Sequence, residues 1–528
     1  MTVFESPFGS VPVPDVALTP FVFERARALG DKPAFVDAPT GRALTFRQTD
    51  DMVRAVAAGL AARGFGKGDV LGLLLPNLPE YPVAFHAAAL LGGIATTVNP
   101  LYTADELAHQ LSDAGAKFLL TIPQFVATAS EAAGRSTVKE VFVLGEAEGA
   151  TPFASLLEPD GSVPEVDIDP REDVVVLPYS SGTTGLSKGV MLTHHNIVAN
   201  LLQIAAALTV GEDDVVIGVL PFFHIYGQTV IMNASFRAGA TTVTMPRFDL
   251  EQFCRVIQDH RVTWAFLVPP IVLALAKHPV IDAYDLSSLR VVFCGAAPLS
   301  GDLAEAAATR IGCQVRQGYG LTETSPVTHS IGRSNKPGSI GPLLPDTEGK
   351  VMDTADGREL GPDADGEIWV RGPQVMKGYL NNPEATASTI DAEGWLHTGD
   401  IGHADDDGYF YVVDRVKELI KYKGLQVPPA ELEAVLVRHP SVADAAVIPV
   451  PDEEAGEVPK AFVVLRQGAE ATPDEIMAYV AKHVAPHKKV RRLEFVDEIP
   501  KSLSGKILRR VLVDRERELA RQGDAAPA

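Results

Sequence analysis

Short apolar runs rich in Val and Ile alternate with helical patterns through most of the chain. The run DVVVLPY (173–179) predicts a buried strand, and HHNIVANLLQIAAAL (194–208) predicts a helix with Thr193 as its N-cap. The stretch from residue 241 to 268 repeats strand, helix, strand. This rhythm is typical of α/β proteins with mostly parallel sheets, whose ligands bind beyond the carboxyl ends of the strands.

The pattern changes near residue 365. GEIWVRG (366–372) and GYFYVVDR (408–415) predict short strands, and the turn residues of HADDDGYF predict a hairpin. A charge-dense stretch follows, so we place a domain boundary between Arg415 and Lys417. The predicted organisation is a large N-terminal α/β domain with parallel-type sheets over residues 1–415 and a small α+β domain over residues 416–528.

Charge and cysteine content restrict the class of protein. The net charge is −22, from 46 Lys and Arg against 68 Asp and Glu, which disfavours nucleic acid as a partner. The three cysteines have no metal-ligand spacing and favour a reducing, cytoplasmic compartment. The N-terminal residues do not resemble a secretory signal. The longest apolar run (83–98) is too short for a membrane span and predicts a buried helix followed by a strand.

The segment PYSSGTTGLSKGVML (178–192) has the composition of a loop that binds phosphate. Its glycines allow backbone N–H groups to converge on an anion, its Ser and Thr hydroxyls add donors, and Lys188 adds a charge. It departs from the common nucleotide-loop template, because Lys188 is followed by Gly189 rather than Ser or Thr. The alternative interpretation is a surface turn that contains a lysine.

Two further segments carry residues suited to a nucleotide. In QGYGLTETSP (317–326), Tyr319 can stack on a flat heterocycle, Thr322 can bond a phosphate oxygen, and Glu323 is an oxygen ligand suited to magnesium. The alternative is a strand end with a capping threonine. In GWLHTGDIG (394–402), Asp400 can accept bonds from both hydroxyls of a ribose, although aspartates in turns are common.

A fourth segment, PKSLSGKILRR (500–510), places Lys506 next to a glycine in the small domain. This arrangement is typical of a lysine delivered on a loop, and the alternative is a solvated basic stretch. His397 and His403 have no partner at metal-ligand spacing, so we expect structural roles for them. Cys294 is expected to be a small buried hydrophobic residue rather than a reactive thiol.

In this order, the four segments resemble the adenylate-forming superfamily of acyl-CoA synthetases, firefly luciferase and peptide-synthetase adenylation domains. The resemblance covers nearly the whole chain. It is strongest to 4-coumarate–CoA ligases, through PFFHIYG (221–227), VDRVKELIKYKGLQVPPAELE (413–433) and PKSLSGKILRR. It implies an acyl-CoA synthetase-like fold whose small C-terminal domain is mobile and rotates about a hinge at Lys417.

The resemblance also implies an activity. A carboxylate attacks the α-phosphate of Mg²⁺-bound ATP to give an acyl-adenylate and pyrophosphate, and the thiol of coenzyme A then displaces AMP. The implied ATP and AMP positions are Ser180, Ser181, Gly182, Thr183, Thr184, Gly185, Lys188, Gly295, Ala296, Ala297, Gln317, Gly318, Tyr319, Gly320, Thr322, Asp400 and Arg415. The implied magnesium ligand is Glu323.

The remaining implied positions serve catalysis, bind the acid or line the path of coenzyme A. Lys506 serves the first step and Lys421 and Gln426 the second, while His224 controls access of the carboxylate and the thiol. The implied path of coenzyme A passes Lys423 and Gly424. The implied acid pocket consists of Tyr226, Thr229, Gly295, Ala296, Gly320, Pro326 and Val327.

The identity of the acid stays open at this point. Plant enzymes of this type usually have Asn in place of Thr229, and Lys-Ser in place of Phe293-Cys294. A cinnamate-type or 4-coumarate-type aryl acid is expected, with a medium- or long-chain fatty acid as the alternative. A luciferase-like or carrier-protein-loading adenylase and a silent nucleotide-binding scaffold are rival functions. A silent scaffold would not need all of the implied ATP-binding residues together with Lys506. No membrane span is expected, and a monomer and a homodimer are both compatible with the sequence.

Overall fold

The computed structural model describes residues 3–157, 162–180, 187–332, 336–415, 418–423, 425–452, 455–502 and 505–524. These residues form two eight-stranded sheets and two five-stranded sheets, with helices packed around them. None of the described helices is long and apolar enough to cross a membrane.

The first eight-stranded sheet is parallel except at one edge, where two strands pair antiparallel. Its strands, in spatial order, are Gly378–Tyr379, Lys188–Thr193, Val174–Ser180, Ile94–Thr97, Val70–Leu73, Ala116–Thr121, Glu140–Val143 and Thr151–Pro152. Its central strands are buried on both faces, which explains their continuous apolar sequence.

The second eight-stranded sheet is parallel in its interior and antiparallel at both edges. Its strands are Val327–Ser330, Gln314–Gly320, Val291–Cys294, Trp264–Leu267, Val215–Gly218, Thr241–Thr244, Pro33–Asp37 and Ala43–Thr45. Cys294 is 1% exposed at the end of its strand, which confirms its predicted burial.

The third sheet differs from the predicted parallel type, because it is antiparallel throughout. Its strands are Phe4–Glu5, Glu348–Met352, Gly366–Arg371, Leu396–Ala404 and Phe410–Arg415. The last two strands form the predicted hairpin, and their register places Asp400 opposite Arg415. Local pairing therefore brings together two of the residues predicted for nucleotide binding.

The fourth sheet belongs to the C-terminal part of the chain. Its strands are Leu425–Val427, Ile420–Tyr422, Gly456–Leu465, Val442–Asp452 and Arg492–Phe495. The helices of this small unit are Pro429–Val437, Pro473–His483 and Arg509–Asp524. Its apolar residues form core clusters of their own on the two faces of the sheet, which is the behaviour of a separate α+β unit.

The helix His194–Ala207 of the large unit begins at the polar cap that the sequence predicts. The Thr193 hydroxyl accepts a hydrogen bond from the Asn196 backbone N–H, and the Asn196 side-chain oxygen accepts one from the Thr193 backbone N–H. The helices of the large unit are Leu18–Val22, Ala26–Leu29, Phe46–Ala62, Glu80–Leu90, Ala104–Asp113, Val126–Ala133, His194–Ala207, Ala234–Ala238, Leu250–His260, Pro269–Lys277, Gly301–Ile311 and Pro383–Thr389. A π-helix covers Tyr226–Asn233.

Candidate active site

A cavity of about 940 Å³ opens at the carboxyl ends of strands Val174–Ser180 and Gln314–Gly320. The small unit contributes to its wall through Lys501, Ser502 and Lys506. Many of the predicted positions border it, and they are Ser180, Lys188, His224, Tyr226, Gly295, Ala296, Gly318, Tyr319, Gly320, Thr322, Glu323, Pro326, Val327, Arg415 and Lys506. The fold therefore gathers segments far apart in sequence around one space.

Asp400 connects two of the predicted nucleotide-binding residues. The Tyr319 hydroxyl donates to its Oδ2 at 2.5 Å, and Arg415 Nε lies 2.9 Å from its Oδ1. Asp400 is only 3% exposed, just behind the cavity wall. Burial, together with the charge of Asp400, raises the pKa of Tyr319 well above its ordinary value, so this hydroxyl keeps its proton and remains a donor. The ring of Tyr319 is thereby fixed along the wall.

Glu323 lies in the short helical turn Thr322–Thr324 and connects the two large sheets. The hydroxyls of Ser180 and Tyr379 donate to its Oε1, at 3.1 and 2.8 Å. The Lys188 ammonium lies 4.7 Å from the centre of the Tyr379 ring. Sequence reasoning missed Tyr379, because it belongs to a two-residue strand that pairs with the distant strand Lys188–Thr193.

These oxygen atoms fit magnesium carried on a triphosphate. Mg²⁺ prefers hard oxygen ligands and usually takes one or two carboxylates together with phosphate oxygens and water. Glu323 supplies the carboxylate at the cavity wall, with the hydroxyl-bearing residues Ser180 and Thr322 beside it. The described residues contain no group of three or more His, Cys, Asp or Glu able to hold a metal alone. Phosphate would therefore complete the ligand set.

The predicted acid pocket is a narrow apolar slot. The Tyr226 hydroxyl donates to the Phe293 carbonyl at 3.2 Å, and a Cβ on Gly295 would lie 3.2 Å from the Tyr226 ring. A Cβ on Gly318 would collide with the Phe293 ring. Phe293 also lines the cavity, whereas Thr229 is completely buried and is not part of the lining. The two glycines therefore allow the Tyr226 and Phe293 rings to pack directly against the backbone.

His224 borders the same slot near Lys506. Its Nδ1 accepts a hydrogen bond from the Tyr226 backbone N–H at 3.2 Å. Burial, reinforced by the charge of Lys506, lowers the pKa of His224 to about 4. The imidazole is therefore neutral at physiological pH and can change rotamer without moving a charge into the cavity.

Lys506 enters the cavity from a loop of the small unit. Its backbone N–H bonds Ser502 Oγ at 3.1 Å, and its carbonyl accepts from the Ser502 N–H at 2.8 Å. Burial, followed by the charge of Arg415, lowers the pKa of Lys506 to about 8. Beside it, a Cβ on Gly505 would lie 3.1 Å from the Val268 side chain, so the loop packs tightly on the large unit.

Other predicted residues lie away from the cavity or outside the described residues. Lys421 and Lys423 are exposed on the hairpin of strands Ile420–Tyr422 and Leu425–Val427. Ala297 and Gln317 are near the cavity but do not line it. Outside the described residues lie Ser181, Gly182, Thr183, Thr184, Gly185, Lys417, Gly424 and the side chain of Gln426.

Family models and curated relatives match this chain over most of its length. The family described as AMP-binding enzyme matches residues 22–380, and the AMP-binding enzyme C-terminal domain matches residues 431–506. The 4-coumarate–CoA ligase 5 of Oryza sativa subsp. japonica is 47% identical, covering 97% of this chain and 96% of that protein. The 4-coumarate–CoA ligase 2 of Petroselinum crispum is 44% identical over the same shares.

Solved structures show the same architecture. The anthranilate CoA ligase AuaEII in complex with anthranoyl-AMP superposes with a TM-score of 0.89 at 28% identity, over 97% of this chain and 99% of that one. ATP-bound MatB from Rhodopseudomonas palustris gives a TM-score of 0.85 at 30% identity, over 94% and 99%. The predicted fold and the predicted enzyme class, an AMP-forming acid–thiol ligase, are confirmed. This chain belongs to the family of AMP-binding enzymes.

Proposed function

We propose that this enzyme joins a cinnamate-type aryl acid to coenzyme A through an acyl-adenylate, and that it uses ATP with Mg²⁺. The observation that carries this assignment is the shared cavity. Lys506, Arg415 and Glu323 face one space from separate segments, with Asp400 fixed behind Arg415. Three free cysteines fit the reducing cytoplasm as its compartment.

In the first step, a carboxylate oxygen attacks the α-phosphorus of ATP, and the bond to pyrophosphate breaks. Negative charge develops on the α-phosphate and on the departing group, so fixed positive groups and donors lower the barrier. In this assignment Lys506 bonds both the acid and the α-phosphate, and Thr322 adds a hydroxyl; both residues line the cavity. Lys188, Ser180 and the segment between them would hold the departing pyrophosphate, and Glu323 would hold the magnesium ion.

In the second step, the thiolate of coenzyme A attacks the acyl carbon and AMP leaves with the bonding electrons. Lys506 and its loop occupy the cavity wall, whereas Lys421 is exposed on the hairpin. A rotation of the small unit about Lys417 would withdraw Lys506 and bring Lys421, Lys423, Gly424 and Gln426 to the thiol. Neutral His224 would turn aside to admit the thiol.

The apolar slot supports an acid with an apolar distal ring. The Tyr226 hydroxyl is engaged with a backbone carbonyl, and Phe293 occupies the space against Gly318. A hydroxyl on the substrate ring would be buried there at a cost of about 1–3 kcal/mol if it found no partner. We therefore expect cinnamate to react about 5- to 150-fold more efficiently than 4-coumarate.

A panel of cinnamic, 4-coumaric, benzoic and C6–C16 fatty acids tests this function through AMP release with and without coenzyme A. The expected result is coenzyme A-dependent AMP release, with the highest kcat/KM for cinnamate. A preference for long fatty acids would establish the alternative acyl-CoA synthetase and remove the aryl-acid assignment. AMP release that coenzyme A does not accelerate would favour a luciferase-like or carrier-loading adenylase.

A further inference from the structure

Arg509 is the centre of a buried charge cluster that the reaction chemistry does not use. Its Nη1 is paired with Glu418, and its Nη2 lies 2.7 Å from Glu433 Oε2. Its Nε donates to the Val447 carbonyl at 3.3 Å, and the Val447 N–H donates to the second oxygen of Glu433 at 2.8 Å. The side chains of Arg509, Glu418 and Glu433 are only 14%, 16% and 12% exposed. A buried arginine that bridges two carboxylates through charge-assisted hydrogen bonds fixes the elements that carry its partners.

The loop of Lys506 leads directly into Arg509. Arg509 follows Lys506 by three residues and begins the helix Arg509–Asp524. The segment between them is tied back to the chain that precedes the Lys506 loop, because the Leu508 N–H donates to the Pro500 carbonyl at 2.8 Å. The position of the Arg509 guanidinium therefore sets where the Lys506 loop leaves the body of the small unit.

The segment that follows Arg415 carries Glu418, one of the partners of Arg509. The backbone N–H groups of Glu418 and Leu419 both donate to the Arg415 carbonyl, at 3.0 and 3.1 Å. Arg415 is itself held by Asp400 in the cavity wall. The pair of Glu418 with Arg509 thus connects the nucleotide side of the cavity with the loop of Lys506.

The pairing of Glu418 with Arg509 opposes the electrostatic repulsion between Lys506 and Arg415. Lys506 and Arg415 are both cations, and they border the same partly buried space. Burial and the charge of Arg415 both disfavour the protonated lysine, while the charge of Glu418 favours it. Before the anionic substrates bind, these forces would move Lys506 away from the cavity unless its loop were held in place.

We propose that Arg509 is a positioning residue for acyl-adenylate formation, acting through Glu418 and Glu433 to hold the Lys506 loop beside Arg415. This inference rests on the role of Lys506 given under the proposed function. Arg509 touches no reacting atom, so its loss acts on the geometry of the first step. A displacement of about 1 Å at the reacting centre can slow a reaction roughly 100-fold.

The test measures the two half-reactions separately in Arg509→Gln, with Arg510→Gln as the matched control. Arg510 is the next residue, its side chain is 72% exposed, and it pairs with Asp514 on its own helix. Arg509→Gln is expected to lower the rate of ATP–pyrophosphate exchange by about 10- to 100-fold. Thioester formation from supplied acyl-adenylate should stay within about threefold of the parent, as should both half-reactions of Arg510→Gln.

A pH profile distinguishes positioning from a merely structural role. Removing Arg509 takes a repelling charge away from Lys506, whereas Glu418→Gln takes away an attracting one. Both variants should slow the first step, but the alkaline limb of its kcat/KM should move to higher pH in Arg509→Gln and to lower pH in Glu418→Gln. The charged or titratable groups that face Lys506 are Arg415, Glu418, Asp400, Arg509 and His224.

Equal losses in both half-reactions of Arg509→Gln would overturn the inference. Alkaline limbs of kcat/KM that move in the same direction in Arg509→Gln and Glu418→Gln would also overturn it. If Arg509→Gln does not fold, Arg509→Lys takes its place in the half-reaction assays, because an ammonium keeps the charge but lacks the three separate nitrogens by which the guanidinium reaches Glu418, Glu433 and the Val447 carbonyl. Lys506→Ala is measured beside these variants. If Lys506→Ala does not selectively lose acyl-adenylate formation, the proposed function of Lys506 fails. If Lys506→Ala loses that step selectively and Arg509→Gln does not, only the positioning role of Arg509 fails.

Discussion

The two halves of the candidate site are built differently. The large unit presents Asp400, Tyr319 and Glu323 from neighbouring strands and turns, and hydrogen bonds hold each of them in place. The small unit presents Lys506 from a loop, and its other predicted lysine, Lys421, is exposed on a separate hairpin. The fixed residues of the large unit suit nucleotide binding, because their hydrogen-bonding groups need no reorganisation. A separable half suits a reaction whose two steps need different groups at the same place.

The largest expected effect comes from removing each of the two lysines that serve the two steps, Lys506 and Lys421. Lys506→Ala should slow acyl-adenylate formation by about 10²- to 10³-fold, because it removes a charge aimed at the developing negative charge. Thioester formation from supplied acyl-adenylate should be largely spared. Lys421→Ala should show the reverse pattern. Pyrophosphate exchange and single-turnover thioester assays measure the two steps. Equal losses in both assays would refute the assigned roles.

A substitution in the fixed half should affect nucleotide binding more than chemistry. Asp400→Asn removes the charge that holds Arg415, so the KM for ATP should rise about 10- to 100-fold, since hydrogen bonds to charged groups contribute about 1.5–3 kcal/mol. Asp407→Asn is the control, because Asp407 is 72% exposed and pairs with Lys336 away from the cavity. An unchanged KM in Asp400→Asn would contradict the predicted ribose site.

The pH dependence of the first step should follow the protonation of Lys506 in the small unit. Burial and Arg415 lower the pKa of Lys506 to about 8, so the free enzyme loses its charged lysine as pH rises through that value. We expect kcat/KM for adenylate formation to fall above about pH 8. Lys506→Arg should remove this limb, because a guanidinium stays protonated. A limb that persists unchanged in Lys506→Arg would belong to another group.

The smallest expected effect concerns stability, and it has opposite signs in the two units. Burial lowers the pKa of His86 and His329 in the large unit to about 3, so their contribution to stability is present above pH 6.5 and is lost as the pH falls. Burial raises the pKa of Glu433 in the small unit to about 7, so stability falls there as the pH rises from about 4.5 to 7. Each group contributes about 1.4 kcal/mol per pH unit.

Amide hydrogen exchange at pH 5.5 and 7.5, corrected for intrinsic rates, measures this difference. Acidification should increase the opening of strands in the large unit and decrease it in the small unit. A change of the same sign in both units would contradict the assignment of these groups.

The features predicted most accurately from the sequence are those that depend on interactions between residues close in the chain. Buried parallel strands are continuous apolar runs, so Val174–Ser180 could be placed to within a residue. The Thr472 and Glu475 side chains form a capping box with Pro473 at the first helical position, an arrangement that their spacing alone sets. The hairpin that joins Leu396–Ala404 to Phe410–Arg415 follows from its turn residues.

Contacts between distant segments could not be predicted. Tyr379 bonds Glu323 across 56 residues, and Arg509 pairs with Glu418 across 91 residues. The alternative interpretation of the segment around Arg509 as a solvated basic stretch holds for exposed Arg510 but not for buried Arg509. Local charge pattern does not distinguish these neighbours, because their burial is decided by the packing of the last helix on its sheet.

The central claim is that the small unit must bring Lys506 in for the first step and withdraw it for the second. A disulfide between Val268→Cys and Gly505→Cys tests it directly, because a Cβ on Gly505 would lie 3.1 Å from Val268 Cγ2. The single variant Gly505→Cys controls for strain, since Gly505 has a φ of +75°. The oxidised double variant should still form acyl-adenylate and lose at least about 100-fold in thioester formation, with recovery on reduction. Thioester formation at the parent rate in the oxidised form would contradict the account.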